Sequence, residues 1–241
     1  MPNAVALDKV QHRDLKVIGG HGPQFGDITN EIEVFANEFI ELQREYPIYF
    51  HRDERGGWQA YAMLGFDDGE NLFVADGAWQ GRYIPAMLDR GPFLMGFPGS
   101  KDEPDAKREP VIAIDMEHPR VSRDQGELLF QSDGSAAPRL ERHARALKTI
   151  HEGHNPTRIM FAAFAECGLL SPIKIDIRID DSTIYNVPDA YSINHEALVK
   201  LDNERLGRLL RAGYLNLAYA AINSLGNIRR LIDLKNQRKA G

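Results

Sequence analysis

The chain carries a single cysteine, Cys167, among 241 residues. No disulfide can form within it, which excludes a disulfide-stapled scaffold and favours a reducing compartment. Cys167 lies in the apolar stretch MFAAFAECGLL, where a free thiol is expected to be buried and inert; a nucleophile would need a nearby His and a lowered pKa. No run approaches the roughly 18 apolar residues of a membrane span. The first twenty residues show no basic region followed by an apolar core, so no signal peptide is visible and a cytoplasmic location is the expectation. Neither G-x-x-x-x-G-K-[ST] nor G-x-S-x-G occurs, which removes the signatures of P-loop nucleotide binding and of the hydrolase nucleophile elbow. Gly19-Gly20-His21-Gly22 has the glycine content of a phosphate loop without the strand–loop–helix unit around it, so no dinucleotide site is expected. A formal net charge of −6 argues against nucleic-acid binding, whose affinity is built on Lys and Arg neutralising phosphates.

What remains is an ordinary folded composition, 43% hydrophobic and 27% charged, sufficient for one domain with its own core. Residues 1–27 read as irregular, because glycines and Pro23 interrupt every pattern. Residues 28–241 read as a single α+β domain, with a β-rich N-terminal half packed on a helix-rich C-terminal half. A helix is predicted from Thr29 to Arg44, with Ile32, Phe35, Phe39 and Leu42 at helical spacing. Residues 46–97 read as strands, including a hairpin turning at Gly56-Gly57, a turn at Asp76-Gly77 and a short helix from Pro85 to Asp89. Residues 98–109 read as a flexible polar loop, and Val111 to Met116 as a buried strand. Two helices are predicted at 138–150 and 155–166, linked by His151-Glu152-Gly153-His154 and closed by Gly168. A hairpin around Asp180-Asp181, two short helices and one long helix from Tyr214 to Lys235 complete the chain. Arg229, Arg230, Lys235, Arg238 and Lys239 at its end are expected to be a solvated face, as the helix dipole favours.

Three constellations could carry chemistry. His51-Arg52-Asp53 has the H-x-D spacing of a non-haem iron triad that a distal His would complete, but it falls on a predicted hairpin turn and also suits a solvated loop. His151 and His154 are spaced by three where zinc peptidases need four on a helix, so they read as a connector. Trp79, Arg82, Tyr83, Arg90 and Phe93 combine flat rings with the fixed donor fork of Arg. That set fits a sugar, an extended peptide or a carboxylate, and equally a core in which Arg braces loop carbonyls. If a ligand site exists, the junction of the two halves near Trp79, Tyr83 and Arg90 is the expected place.

The order and spacing of several pieces resemble the SapC-like, or Pass1-related, family. They are His12, Glu38-Phe39, Tyr46-Pro47-Ile48 with Phe50, Asn71-Leu72-Phe73, Trp79, Tyr83-Ile84-Pro85-Ala86, Arg90 with Pro92-Phe93, Thr157, Gly168-Leu169-Leu170 and Ser224-Leu225-Gly226-Asn227. The resemblance spans nearly the whole chain. It implies a bacterial protein that accompanies outer-membrane sugar receptors, halogenase-like proteins and cupin-like hydroxylases, with no catalytic residues to carry over. The expectation is therefore a non-catalytic accessory or binding protein of a nutrient-uptake or modification system, without a cofactor, whose partner is another protein or a small glycan-like ligand. A homo-oligomer is compatible with the sequence. The alternatives are a metal-dependent enzyme using His51 and Asp53, and a surface-layer structural protein. Only 4 Thr and 8 Ser speak against the last.

Overall fold

A computed structural model describes residues 3–97, 110–179 and 183–240. The expected flexible loop 98–109 and the tip of the hairpin around Asp180-Asp181 lie outside the described residues. Strands concentrate in the N-terminal half and helices in the C-terminal half, so the chain is α+β.

The main sheet has five antiparallel strands in the spatial order Leu170–Pro172, Tyr191–Ile193, Ile48–Arg52, Trp58–Met63, Glu31–Val34. Its centre is the predicted hairpin, paired from Ile48 opposite Ala62 to Arg52 opposite Trp58. Gly56 takes φ 82° in the turn, a conformation glycine adopts without a Cβ penalty. Asp53 Oδ1 closes the loop by accepting from Arg55 N–H (2.9 Å) and Gly57 N–H (2.7 Å).

The outer strand Glu31–Val34 corrects the sequence reading, which predicts a helix from Thr29 to Arg44. Glu31, Ile32, Glu33 and Val34 alternate polar and apolar, the period of a strand. Pairing with Trp58–Met63 satisfies their backbone, and two glutamates suit an edge strand. Helix begins only afterwards, as a turn of 3₁₀ at Ala36–Glu38 running into Phe39–Leu42.

The helix Pro138–Glu166 is one continuous element of 29 residues, not two. At 1.5 Å per residue it runs about 44 Å. Gly153 sits inside because a Cβ there would lie 2.5 Å from Phe35 Cβ. Pro156 removes one backbone bond, yet Thr157 Oγ1 donates to Gly153 O (2.7 Å) and accepts from Ala36 N–H (2.8 Å), fastening this turn to the sheet side. The helix ends as predicted at Gly168 (φ 66°), with Gly168 N–H on Ala165 O and Leu169 N–H on Phe164 O, the Schellman arrangement.

That helix spans two cores. Its C-terminal part gives Met160, Phe161 and Phe164 to the main core, where Phe161 meets Phe50 edge-on at 5.0 Å. Its N-terminal part gives Leu140 and Leu147 to a smaller core with Leu15, Val17, Phe93, Ile114 and Leu129. The smaller core underlies the three-stranded sheet Ala4–Ala6, Val111–Asp115, Phe93–Gly96. Residues 4–27 are thus not merely irregular: they supply an edge strand, two core side chains and the strand Lys16–Val17.

The last predicted helix is broken. Tyr214–Ser224 passes through a 3₁₀ turn at Leu225–Asn227 into Ile228–Ala240. Asn227 Nδ2 donates across the turn to Gln43 O (2.8 Å) and Tyr46 O (3.2 Å). The basic end is exposed at Arg229, Arg238 and Lys239, as expected, but it is also a clasp. Arg230 pairs with Glu45 at 2.8 Å, Lys235 bonds Asp67 and Glu70, and Arg238 donates to Asn71 O and Val74 O. Carboxylates and carbonyls of the β-rich half collect these charges.

Candidate functional site

The five residues singled out as a ligand set do not meet. Trp79, Arg82 and Tyr83 line one groove. Arg90 turns away, donating from Nη1 to Phe93 O (2.9 Å), and faces a separate 350 Å³ cavity beside His151 and His154. Phe93 is fully buried in the smaller core, 5.1 Å from the His143 ring. Proximity in sequence misled here because Gly91, in the left-handed region at φ 54°, redirects the chain between Arg90 and Phe93.

His51 and Asp53 also take separate roles. His51 Nδ1 lies 3.1 Å from Asp189 O and Nε2 lies 3.7 Å from Glu31, at a 430 Å³ cleft under the hairpin Ile175–Arg178 and Ile184–Val187. Asp53 is occupied by its own turn. Among the described residues no three His, Cys, Asp or Glu side chains converge as metal ligands. Cys167 is partly exposed, and burial pushes its thiol up, away from thiolate chemistry.

The groove has a volume of 640 Å³ and four walls. The first is the glycine loop 19–22, pinned where His21 N–H donates to Gly77 O (2.8 Å). The second is the tight hairpin Val74–Ala75 and Ala78–Trp79. Asp76 (φ 51°) and Gly77 (φ 73°) are both left-handed there, as a two-residue hairpin requires. The third is Arg82 to Ile84 with Asp89. The fourth is the first turns of the long helix, which present Arg142 and Arg145.

Trp79 offers the groove only its ring. Its Nε1–H points inward to Tyr46 Oη (3.2 Å) and Tyr83 O (3.1 Å), and its inner face stacks on Phe73 at 5.9 Å. The Tyr83 hydroxyl is likewise committed, donating to Glu38 Oε1 (2.9 Å). Arg82 anchors by its backbone N–H to Glu45 Oε2 (2.6 Å) and leaves its guanidinium exposed.

Below the groove lies a recess of 150 Å³ that shares Gly20, His21, Asp89 and Arg142 with it. Arg120 forms its floor. It bonds Asp27 Oδ2 (2.6 Å), Ile18 O (3.1 Å) and Gly20 O (2.7 Å), so one guanidinium holds the glycine loop in place. Burial alone would raise the Asp27 carboxyl; His21, the Gly22 N–H and Arg120 outweigh that and hold it below the ordinary range. Asp89 is clamped by Arg142 through Nε (2.8 Å) and Nη2 (2.7 Å). Arg139 and His143 complete the wall.

Sequence reasoning missed Arg120, Arg139, Arg142, His143 and Arg145. One signal was available. Three arginines and a histidine crowd the start of a helix, where the dipole favours anions and disfavours cations.

Fold and site together define an α+β protein with an arginine-lined groove at the junction of its two cores. The chain belongs to the SapC family, whose model matches residues 7–231. No curated protein and no solved structure matches it.

Proposed function

We propose that this SapC-family chain is a non-catalytic binding protein that holds a small glycan-like ligand in the Trp79–Arg82–Tyr83 groove, as an accessory to a bacterial nutrient-uptake or modification system. The observation that carries this reading is the groove's division of labour. Trp79 gives a flat apolar ring with its polar edge already satisfied, which suits the C–H face of a sugar. Arg82 and Arg145 stand exposed at the rim as donors for ring hydroxyls. The polar groups around them are engaged in fixing loops, which favours retention of a ligand over its turnover.

The test is calorimetric titration of the full chain with glucose and with short oligosaccharides, beside Arg82→Ala. The Arg82 side chain is exposed and its fold contribution is made by the backbone, so the variant keeps the wild-type thermal transition. Sugar binding in wild type that weakens several-fold in the variant supports the reading. No heat with any sugar at about 10 mM, a concentration that reveals even millimolar affinity, overturns it.

A further inference from the structure

We infer that the recess beneath the groove is an oxyanion site, so that the ligand class is a charged sugar: one bearing a phosphate or carboxylate next to a free hydroxyl. This rests on the carbohydrate reading for the groove and adds the charged group.

Four observations converge on the recess. First, the groove and recess together are lined by five guanidinium groups, Arg82, Arg120, Arg139, Arg142 and Arg145, against one carboxylate, Asp89. The chain as a whole is acidic, so this concentration is local. Asp27, Glu127 and Asp89 neutralise Arg120, Arg139 and Arg142. Arg145 has only exposed Glu141 at 4.0 Å, and the Arg82 side chain has no carboxylate partner among the described residues. Positive charge is left over at the mouth.

Second, Arg139, Arg142 and Arg145 repeat every third residue from the start of the helix Pro138–Glu166, at its positive end. The arrangement opposes the dipole and gathers like charges, which isolated helix stability disfavours. An anion seated among them reverses both effects.

Third, besides His21 Nδ1, which lies 3.2 Å from Asp27 Oδ2, two sealed polar atoms of the residues lining the recess have no partner among the described residues: Arg139 Nε and His143 Nε2. His143 is only 7% exposed. Buried polar atoms left unpaired are rare in folded proteins and call for an explanation.

Fourth, the two atoms are chemically complementary. His143 Nδ1 sits 2.5 Å from Asp89 O, and a carbonyl only accepts, so Nδ1 carries the proton. Burial holds the ring below its ordinary pKa and therefore neutral. Nε2 then presents a lone pair, while Arg139 Nε presents N–H. A bare anion satisfies the arginine alone. An anion flanked by a hydroxyl satisfies both, the hydroxyl donating to His143 and the anionic oxygen accepting from Arg139. The recess volume of 150 Å³ admits such a group, and the wider groove above admits the ring that carries it.

The experiment is calorimetry of the full chain at low salt with four probes: glucose, glucose 6-phosphate, glucuronate and inorganic phosphate. Wild type and two variants, Arg139→Gln and His143→Asn, are compared. Asparagine can still donate to Asp89 O but offers nothing in place of Nε2. Among the described residues the Arg139 side chain makes one ion pair, to exposed Glu127, so Arg139→Gln preserves the fold and decides the matter even if His143→Asn does not. At least one of the two charged sugars is expected to bind ten-fold or more tighter than glucose. Arg139→Gln is expected to remove that advantage while leaving glucose affinity unchanged. The tighter of the two charged sugars identifies phosphate or carboxylate as the natural group. Glucose binding without any preference for charge, or a variant that weakens all probes equally, overturns the oxyanion site and leaves the groove standing. Phosphate binding that a sugar ring does not improve keeps the recess and overturns the carbohydrate reading. No binding of any probe overturns both.

Discussion

Glu38 is a carboxyl group buried with no cation paired to it among the described residues, and its removal should be among the most damaging single changes in the chain. It is 1% exposed. Oε2 accepts from Phe35 N–H (3.0 Å), and Oε1 accepts from Ala86 N–H (2.8 Å) and the Tyr83 hydroxyl (2.9 Å). One side chain thus ties the end of the outer strand, the start of the short helix Ala86–Asp89 and the wall of the groove. Glu38→Ala leaves three donors unpaired, at about 1–3 kcal/mol each. Losing a desolvated charge returns part of that, so a net loss of about 3–5 kcal/mol is expected, against a total stability of about 5–15 kcal/mol. With a urea slope of about 3 kcal/mol/M, the midpoint falls by about 1 M or more. Glu38→Gln keeps an oxygen for Ala86 and Tyr83 but turns an amide toward the Phe35 N–H, so about 1–2 kcal/mol is expected. The pH dependence gives an independent sign. Burial raises the Glu38 pKa above its ordinary 4.5 despite the three donors. Between the two values the folded chain binds more protons than the unfolded, so wild-type stability from this group declines as pH rises through that window. The wild-type advantage over Glu38→Gln should therefore be greatest at the acid end and flatten above the folded pKa. Urea melts followed by circular dichroism across pH 4.5–8 measure all three quantities. A Glu38→Ala midpoint within error of wild type, or an advantage over Glu38→Gln that grows with pH, refutes the reasoning.

Lys235 is 8% exposed between Asp67 and Glu70; Lys235→Met strands the mostly buried Glu70 and should cost about 3–5 kcal/mol in a urea melt. Burial pulls the Lys235 pKa down, but its bonds to Asp67 and Glu70 outweigh this and raise it above 10.5. The clasp therefore stays intact at neutral pH and is lost only as pH climbs past that value, which alkaline thermal melts can follow. Gly153→Ala should destabilise by about 1–3 kcal/mol, because its Cβ meets Phe35 at 2.5 Å and Asn37 Oδ1 at 2.7 Å. A gain of about 1 kcal/mol, as helix propensity alone predicts, would show the contact to be slack. Asp27→Asn breaks the buried pair with Arg120 and should cost about 3–5 kcal/mol. Because the folded Asp27 pKa lies below 3.8, the stability it supplies to wild type is present at neutral pH and is lost as pH falls below that value.

The residues that made the family recognisable and the residues that line the recess are different sets, which explains why fold class was readable and the recess was not. Several of the former fasten backbone. Tyr46 donates its hydroxyl to Tyr83 O, Asn71 bridges Asp27 O and Phe73 N–H, and Ser224 Oγ accepts from Ile48 N–H and donates to Ala221 O. Such side chains stand beside turns and strand ends, so local pattern exposes them along with the hairpin at Gly56-Gly57 and the stop at Gly168. The errors fall where a distant contact overrides local preference. Glu31–Val34 carries a strand's alternation over only four residues, which the longer helical spacing through Leu42 outweighs until the pairing with Trp58–Met63 decides between them. Gly153 and Pro156 read as breakers because nothing in their own segment reveals Phe35 packed on the one and Ala36 N–H bound to Thr157 beside the other. The recess is the extreme case. Arg120, Arg139 and His143 come together with the Gly19–Gly22 loop and Asp89 only after some 120 residues of chain have folded back. Each is unremarked in its own neighbourhood, apart from the cations at the wrong end of a helix. A like mismatch at the start of Ile228–Ala240 is relieved where Arg230 pairs with Glu45, whereas among the described residues Arg145 meets only exposed Glu141 at 4.0 Å, so folding energetics alone do not account for the choice of residue at the recess. An anion held there would account for it.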